Sequence, residues 1–169
     1  KSYAGMPNIG LFIDNILEWT KSQFEGIKVN PENFQLKDIV DSNFKLMRFQ
    51  IENKKITFEN LISSSEMVYG DKNMIDVMVR NLLSNSVKFC SNGDVISVKA
   101  HQTDEHIELL ITDTGNGIDP NKVAHLFEIS NDKSVGTSGE IGYKLGLVLC
   151  KNMLDLNQGS IRVESTLGL

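Results

Sequence analysis

Two carboxamides and an ammonium recur at helical spacing in this chain. Asn81, Asn85 and Lys88 stand four and then three residues apart, so a helix through them carries all three on one face. Asn is a weak helix former, and a face that only had to be solvated would be better served by Glu or Lys. A carboxamide oxygen is a hard ligand that suits Mg2+, and an ammonium suits a phosphate oxygen. Further on, Asp113-Thr114-Gly115-Asn116-Gly117 follows the alternating Ile107, Leu109 and Ile111. An acid at a strand end, with two alternate glycines after it, sets a fixed carboxylate beside backbone that another group can approach closely. The plainer reading is a turn in which the Asp side chain bonds its own backbone.

A third stretch is glycine-rich and leads into an apolar helical pattern: Gly136-Thr137-Ser138-Gly139-Glu140-Ile141-Gly142-Tyr143-Lys144-Leu145-Gly146-Leu147. Glycines running into a helix start can offer backbone N–H groups to phosphate, though a flexible loop has the same composition. No G-x-x-x-x-G-K-[ST] is present, so this is not a Walker loop. The Asp-Thr-Gly at residues 113–115 also matches the aspartic protease motif. That chemistry needs two such acids, and the chain has one copy among several helical segments.

The elements that must position these residues are bounded by composition. The 169 residues are 40% hydrophobic and 23% charged, ordinary for a globular domain, which excludes a disordered or fibrous chain. Lys and Arg total 17 against 22 Asp and Glu, a net charge of −5, so no basic stripe marks a nucleic-acid binder. No apolar run approaches the ~20 residues of a membrane span. Cys90 and Cys150 have no zinc spacing and read as two buried thiols in a reducing compartment, which points to the cytoplasm.

The chain begins with an apolar stripe (Ile9, Phe12, Ile13, Ile16, Leu17, Trp19, Phe24) between a capping Asn8 and a stopping Gly26, the pattern of a bundle helix. Residues 26–31 read as a linker. Leu36, Ile39, Val40, Phe44, Met47 and Ile51 predict a second helix, and strands are expected at 55–60 and 66–69. Asp71 should cap a third helix running to about Phe89. Two strands, 94–100 and 106–112, should form a hairpin. An irregular stretch over 113–144 holds one short helix near 120–126; a helix over 145–156 and a strand over 160–164 end the pattern. Helices and antiparallel strands in separate runs predict an α+β fold: a two-layer sandwich with one mixed, mostly antiparallel sheet covered by helices on one face.

Taken in order, Asn-Leu-Leu-x-Asn-x-x-Lys-Phe (81–89), Asp-x-Gly-x-Gly (113–117), Leu126-Phe127-Glu128 and the final glycine run resemble the ATP-binding catalytic domain of two-component sensor histidine kinases, over about residues 54–168. Residues 9–36 resemble the second helix of that family's dimerisation domain and the linker strand after it. The implied domains are a partial dimerisation helix (1–27) and a catalytic domain (28–169). The resemblance implies ATP and Mg2+ as ligands, with Asn85 on the metal, Asn81 and Lys88 as the catalytic pair and Lys88 near the phosphates. Phe89, Asp113, Gly115, Gly117, Ile118 and Phe127 would line the nucleotide pocket, Asp113 accepting from the adenine amino group. Thr137, Gly139, Gly142, Tyr143, Lys144, Leu145, Gly146 and Leu147 would contact nucleotide from a lid (129–144) and a second glycine box.

The implied function is a protein-histidine kinase acting on a histidine of a separate dimerisation helix, with a response regulator downstream and a homodimeric full-length protein. Hydrolytic relatives of the same ATP fold use a Glu where this chain has Asn81, and a carboxamide cannot take a proton from water at neutral pH. The remaining alternatives are a hydrolytic or anti-sigma-like member and a degenerate, nucleotide-binding module. None of His101, His106 and His125 sits in a phosphoacceptor-type run. Two departures stand out. Lys144 occupies the middle glycine of the second glycine box, and the chain stops at Gly168-Leu169, where the family usually has one more strand.

Overall fold

The computed structural model describes residues 28–127, 133–135, 137, 141–143 and 145–168. The expected bundle helix over 9–24, Glu128 of the Leu-Phe-Glu run, Gly139 and Lys144 lie outside the described residues. The elements run β1 (Pro31–Gln35), α1 (Leu36–Lys54), β2 (Thr57–Asn60), β3 (Met67–Asp71), α2 (Lys72–Phe89), β4 (Val95–Gln102), β5 (Ile107–Asp113), α3 (Pro120–Val123), β6 (Lys133–Val135), β7 (Ile141–Tyr143) and α4 (Leu145–Leu156). Among the described residues no helix is long and apolar enough to cross a membrane.

The α1 helix forms where its apolar spacing predicts, burying Leu36, Ile39, Val40, Met47 and Ile51. Asn43 completes the buried stripe by donating to Ile39 O at 3.0 Å and, across to α2, to Asp76 Oδ1 at 2.8 Å. The helix closes at Lys55, which is left-handed at φ 53°. Lys55 N donates to Glu52 O and Ile56 N to Ile51 O, both at 3.0 Å, the paired bonds that end a helix and usually centre on glycine. A lysine in that backbone costs about 1–2 kcal/mol, and burial of Ile56 just after it offsets this.

The mixed α+β arrangement of sheets packed against helices is as expected, but among the described residues the strands form three small sheets rather than one. β1 and β3 pair with each other, antiparallel, with Phe34 opposite Val68 on the inner side. The chain turns straight from β1 into α1, so β1 is separated from β2 before it can join the larger sheet. Pro31 is thus the first residue of a strand rather than the end of a linker. The larger sheet has the order β2-β4-β5, parallel between β2 and β4 and antiparallel between β4 and β5. The stretch expected to be irregular contains the β6–β7 hairpin.

The strand expected at 160–164 is absent among the described residues. Its alternation survives only as alternating burial. Ile161 turns toward the methionine cluster between α2 and α4, Arg162 Nη2 sits on Glu108 Oε1 at 2.8 Å, and Ser165 Oγ accepts from Ile118 N at 2.7 Å. Side chains rather than ladder bonds hold the segment against its neighbours.

The core lies between α1, α2 and the three-stranded sheet. Val79, Leu83 and Val87 of α2 meet Ile96 and Val98 of β4, all at 2% exposure or less. A second cluster of Met74, Met78, Cys150 and Met153 joins the opposite flank of α2 to α4. The α2 helix therefore has apolar neighbours on both flanks, which leaves its C-terminal end and one polar face for chemistry.

Candidate functional site

Asp71 starts α2, as its residue type predicts. Its Oδ1 accepts from Met74 N at 3.1 Å and its Oδ2 from Asn30 N at 3.0 Å, while its own N–H donates to Asn157 Oδ1 at 3.0 Å. Along the polar face, Asn81 is 4% exposed and donates Nδ2 to Val77 O at 2.9 Å, so its amide donor serves its own helix. Asn85 and Lys88 are half-buried, and Lys88 Nζ lies 4.9 Å from the centroid of the Phe89 ring, a cation–π contact.

The Asp113–Gly117 loop abuts this end of α2. A Cβ on Gly115 would lie 2.8 Å from Phe89 O, so only a glycine lets the loop seat against the helix. Asp113 Oδ1 accepts from Gly115 N at 3.1 Å; the local turn exists, and an exposed carboxylate retains acceptor capacity on its other oxygen. Gly117 is held at φ +69° by a different constraint. Its Cβ would overlap Thr166 O, so this glycine admits the 166–167 backbone. Ile118 and Phe127 are half-buried beyond it.

Cys90, fully buried, closes the junction. Burial pushes its thiol up to about 12, and the charges of Asp113 and Asp94 add to the effect, against Lys54 and the Gly115 N–H. Thr137, between β6 and β7, reaches the same place: its N–H donates to Lys88 O at 3.0 Å and its Oγ1 to Cys90 O at 2.6 Å. Gly142 and Tyr143 serve the hairpin, opposite Ser134 and Lys133, and Leu145 begins α4, where Gly146 is buried and Leu147 half-buried.

The structure thus gathers Lys88, Phe89, Asp113, Gly115 and Thr137 at one end of α2, with Asn85 one turn back and Asn81 a turn further. It also brings in a residue that sequence reading missed. Lys54 Nζ, from the last turn of α1, donates to Val87 O, Lys88 O and Cys90 O at 2.9, 3.0 and 3.3 Å, and to Thr137 Oγ1 at 2.9 Å. A lysine in the last turn reads naturally as a favourable charge for its own helix, and nothing local indicates that it serves another.

The donor set fits a magnesium nucleotide. A carboxylate suits an amino group, an ammonium suits phosphate, and a half-buried carboxamide oxygen suits a hard cation. Among the described residues no group of three or more His, Cys, Asp or Glu could hold a metal ion by itself.

The chain is 27% identical over 157 residues to histidine protein kinase DivJ of Caulobacter vibrioides, covering 92% of this chain and 26% of that protein. The fold matches full-length ShkA in complex with AMPPNP at a TM-score of 0.76 and 20% identity, covering 94% of this chain and 33% of that one. It matches histidine kinase ThkA in complex with the response regulator TrrA at a TM-score of 0.70 and 15% identity, covering 89% and 42%. The chain therefore spans a quarter to under half of these proteins. Residues 70–168 match the family model described as histidine kinase-, DNA gyrase B- and HSP90-like ATPase, and the chain belongs to that ATP-binding family.

Proposed function

We propose that this chain is the catalytic part of a sensor histidine kinase, holding ATP with Mg2+ and passing the γ-phosphoryl group to a histidine on a separate dimerisation helix. The observation that carries the reading is the junction at the end of α2, where Lys88 and Phe89 meet Asp113 through the seat of Gly115 on Phe89 O. Asp113 would accept from the adenine amino group and Lys88 would meet phosphate. Asn85 would give its carboxamide oxygen to Mg2+, which neutralises phosphate charge when bound. In the transfer the bond from the γ-phosphorus to the ADP oxygen breaks as a bond to imidazole nitrogen forms, and the protein's part is positioning.

Hydrolysis is disfavoured because Asn81, with its amide on Val77 O, offers no base for water. His101 and His106 lie in the β4–β5 hairpin region and not on a helix, in keeping with an acceptor helix supplied from elsewhere. The same reading gives a response regulator as the next acceptor, a homodimeric parent protein and a cytoplasmic site of action, where ATP is available and thiols stay reduced.

Titration with a fluorescent ATP analogue tests the reading. Binding should require Mg2+ and favour ATP over GTP, whose ring presents a carbonyl to Asp113. An unmatched buried polar group costs about 1–3 kcal/mol, roughly 5- to 150-fold. Asp113→Asn should weaken ATP, and an added acceptor helix should become phosphorylated on histidine. Equal affinity for ATP and GTP, or an acid-labile phosphate on His101, His106 or His125 of this chain alone, overturns it.

A further inference from the structure

We propose that Lys54 is a positioning residue that latches the β6–β7 hairpin to the end of α2, setting the place of the hairpin before any nucleotide arrives. Its effect on nucleotide rests on the kinase reading above; the latch itself does not.

The last carbonyls of a helix have no partners within it and carry partial negative charge. In α2 they are met by an ammonium from another helix, 34 residues earlier than Lys88 and 83 residues earlier than Thr137. The polarity of the contacts is consistent along its length. Lys54 Nζ donates to Thr137 Oγ1, and Thr137 in turn donates its hydroxyl to Cys90 O and its N–H to Lys88 O. One ammonium therefore fastens three chain segments. Lys54 is itself aimed, because the left-handed Lys55 and the buried Ile56 fix the end of α1 directly after it.

The alternative, that Lys54 binds a phosphate, is poorly served by this placement. Its ammonium faces helix carbonyls, which would repel an anion placed among them. What the contact can do is hold Thr137, and with it the hairpin that leads into α4, beside Lys88 and Phe89. A hairpin ordered in advance loses less freedom when nucleotide binds beside it, so the latch should favour affinity.

The test compares Lys54→Met, Thr137→Val, Thr137→Ser and the Lys54→Met/Thr137→Val double variant with the parent chain. Hydrogen exchange of the nucleotide-free protein is followed by titration with the fluorescent ATP analogue. In Lys54→Met and Thr137→Val the amides of 133–135, 137 and 141–143 should exchange about tenfold faster, while those of the 78–83 stretch of α2 keep their rates. The double variant should exchange no faster than Thr137→Val, since that change already removes the Lys54–Thr137 tie together with the hydroxyl bond to Cys90 O. Thr137→Ser, which keeps the hydroxyl, should keep the parent's hairpin exchange. Affinity for the analogue should fall about three- to tenfold in the two single variants that break the tie.

Thr137 is exposed, so Thr137→Val decides the matter even if Lys54→Met fails to fold. Unchanged hairpin exchange in Thr137→Val, or additive acceleration in the double variant, overturns the latch. Failure of the parent chain to bind ATP overturns the kinase reading and leaves the exchange result standing.

Discussion

The two ends of α2 are finished by opposite devices. At the N-terminal end a carboxylate from the preceding residue, Asp71, accepts from the Met74 N–H, and Asn157 after α4 secures the backbone of that cap. At the C-terminal end the Cys90 N–H closes the last turn on Ser86 O, and the later carbonyls are met from outside the helix. A lysine from α1, a threonine from the β6–β7 hairpin and the backbone of the Asp113–Gly117 loop converge on Val87, Lys88, Phe89 and Cys90. The first end is capped by the residue beside it, with Asn30 and Asn157 bonded to that cap, and faces the apolar cluster with α4; the second draws its side-chain contacts from remote segments and carries the candidate chemistry. A helix end completed from several directions can sense each of them, whereas a locally capped end senses little.

Breaking the assembled end should have the largest effect. Gly115→Ala places a Cβ at 2.8 Å from a backbone carbonyl that cannot rotate away, so loop and helix must separate. The expected loss is about 1–3 kcal/mol of stability, with weakened ATP-analogue binding measured at a temperature where the variant is folded. A melting curve and a titration report both. Breaking the local end should cost less. Asp71→Ala removes a cap worth about 1 kcal/mol and should lower the melting temperature by a few degrees. ATP affinity should be unmoved, because the C-terminal assembly remains intact; a parallel loss of affinity would erase the distinction between the ends.

The smallest effect sharpens the comparison through the two thiols, Cys90 at the assembled end and Cys150 in the cluster against Met78 O. Burial raises both to about 12 from an ordinary 9.0. A raised thiol pKa leaves stability intact below pH 9 and erodes it above, as the unfolded chain releases protons that the folded one retains. Denaturation curves between pH 8 and pH 10.5 should show that decline, and neither thiol should react with a thiol reagent in the folded protein near pH 7. Faster labelling of Cys90 in Gly115→Ala, with Cys150 unchanged, would locate the opening at the assembled end.

What could be read from the residues follows the same division. The Asp71 cap, the extent of α2, the β4–β5 hairpin and α4 depend on neighbours within a few positions, and their patterns gave them away. The β1–β3 pairing and the parallel β2–β4 pairing join segments separated by whole helices, so no local pattern encodes them. Residues 160–164 mislead for a related reason. Ile161 and Val163 alternate with polar residues as in a strand, yet Arg162 is drawn to Glu108 and Ile161 to the methionines. At the proposed site, Asp113, Gly115, Lys88 and Asn85 stood out in the sequence because such types at such spacing are unusual, and the structure brings Asp113, Gly115 and Lys88 to one end of α2. Lys54 was not, because a lysine at a helix end is ordinary until its neighbour is known.

The parallel pairing of β2 with β4 has a consequence for how the chain assembles. The β4–β5 ladder closes across residues 103–106 alone, a local event on the scale of roughly 1–10 μs for a hairpin. The β2–β4 ladder closes a much longer loop, one that contains β3 and all of α2. The helix that bears the candidate site is thus also the crossover on which the larger sheet waits. Substitutions that weaken α2 should slow refolding itself, whereas those in residues 160–164, which add no rung to any ladder, should act mainly by speeding unfolding.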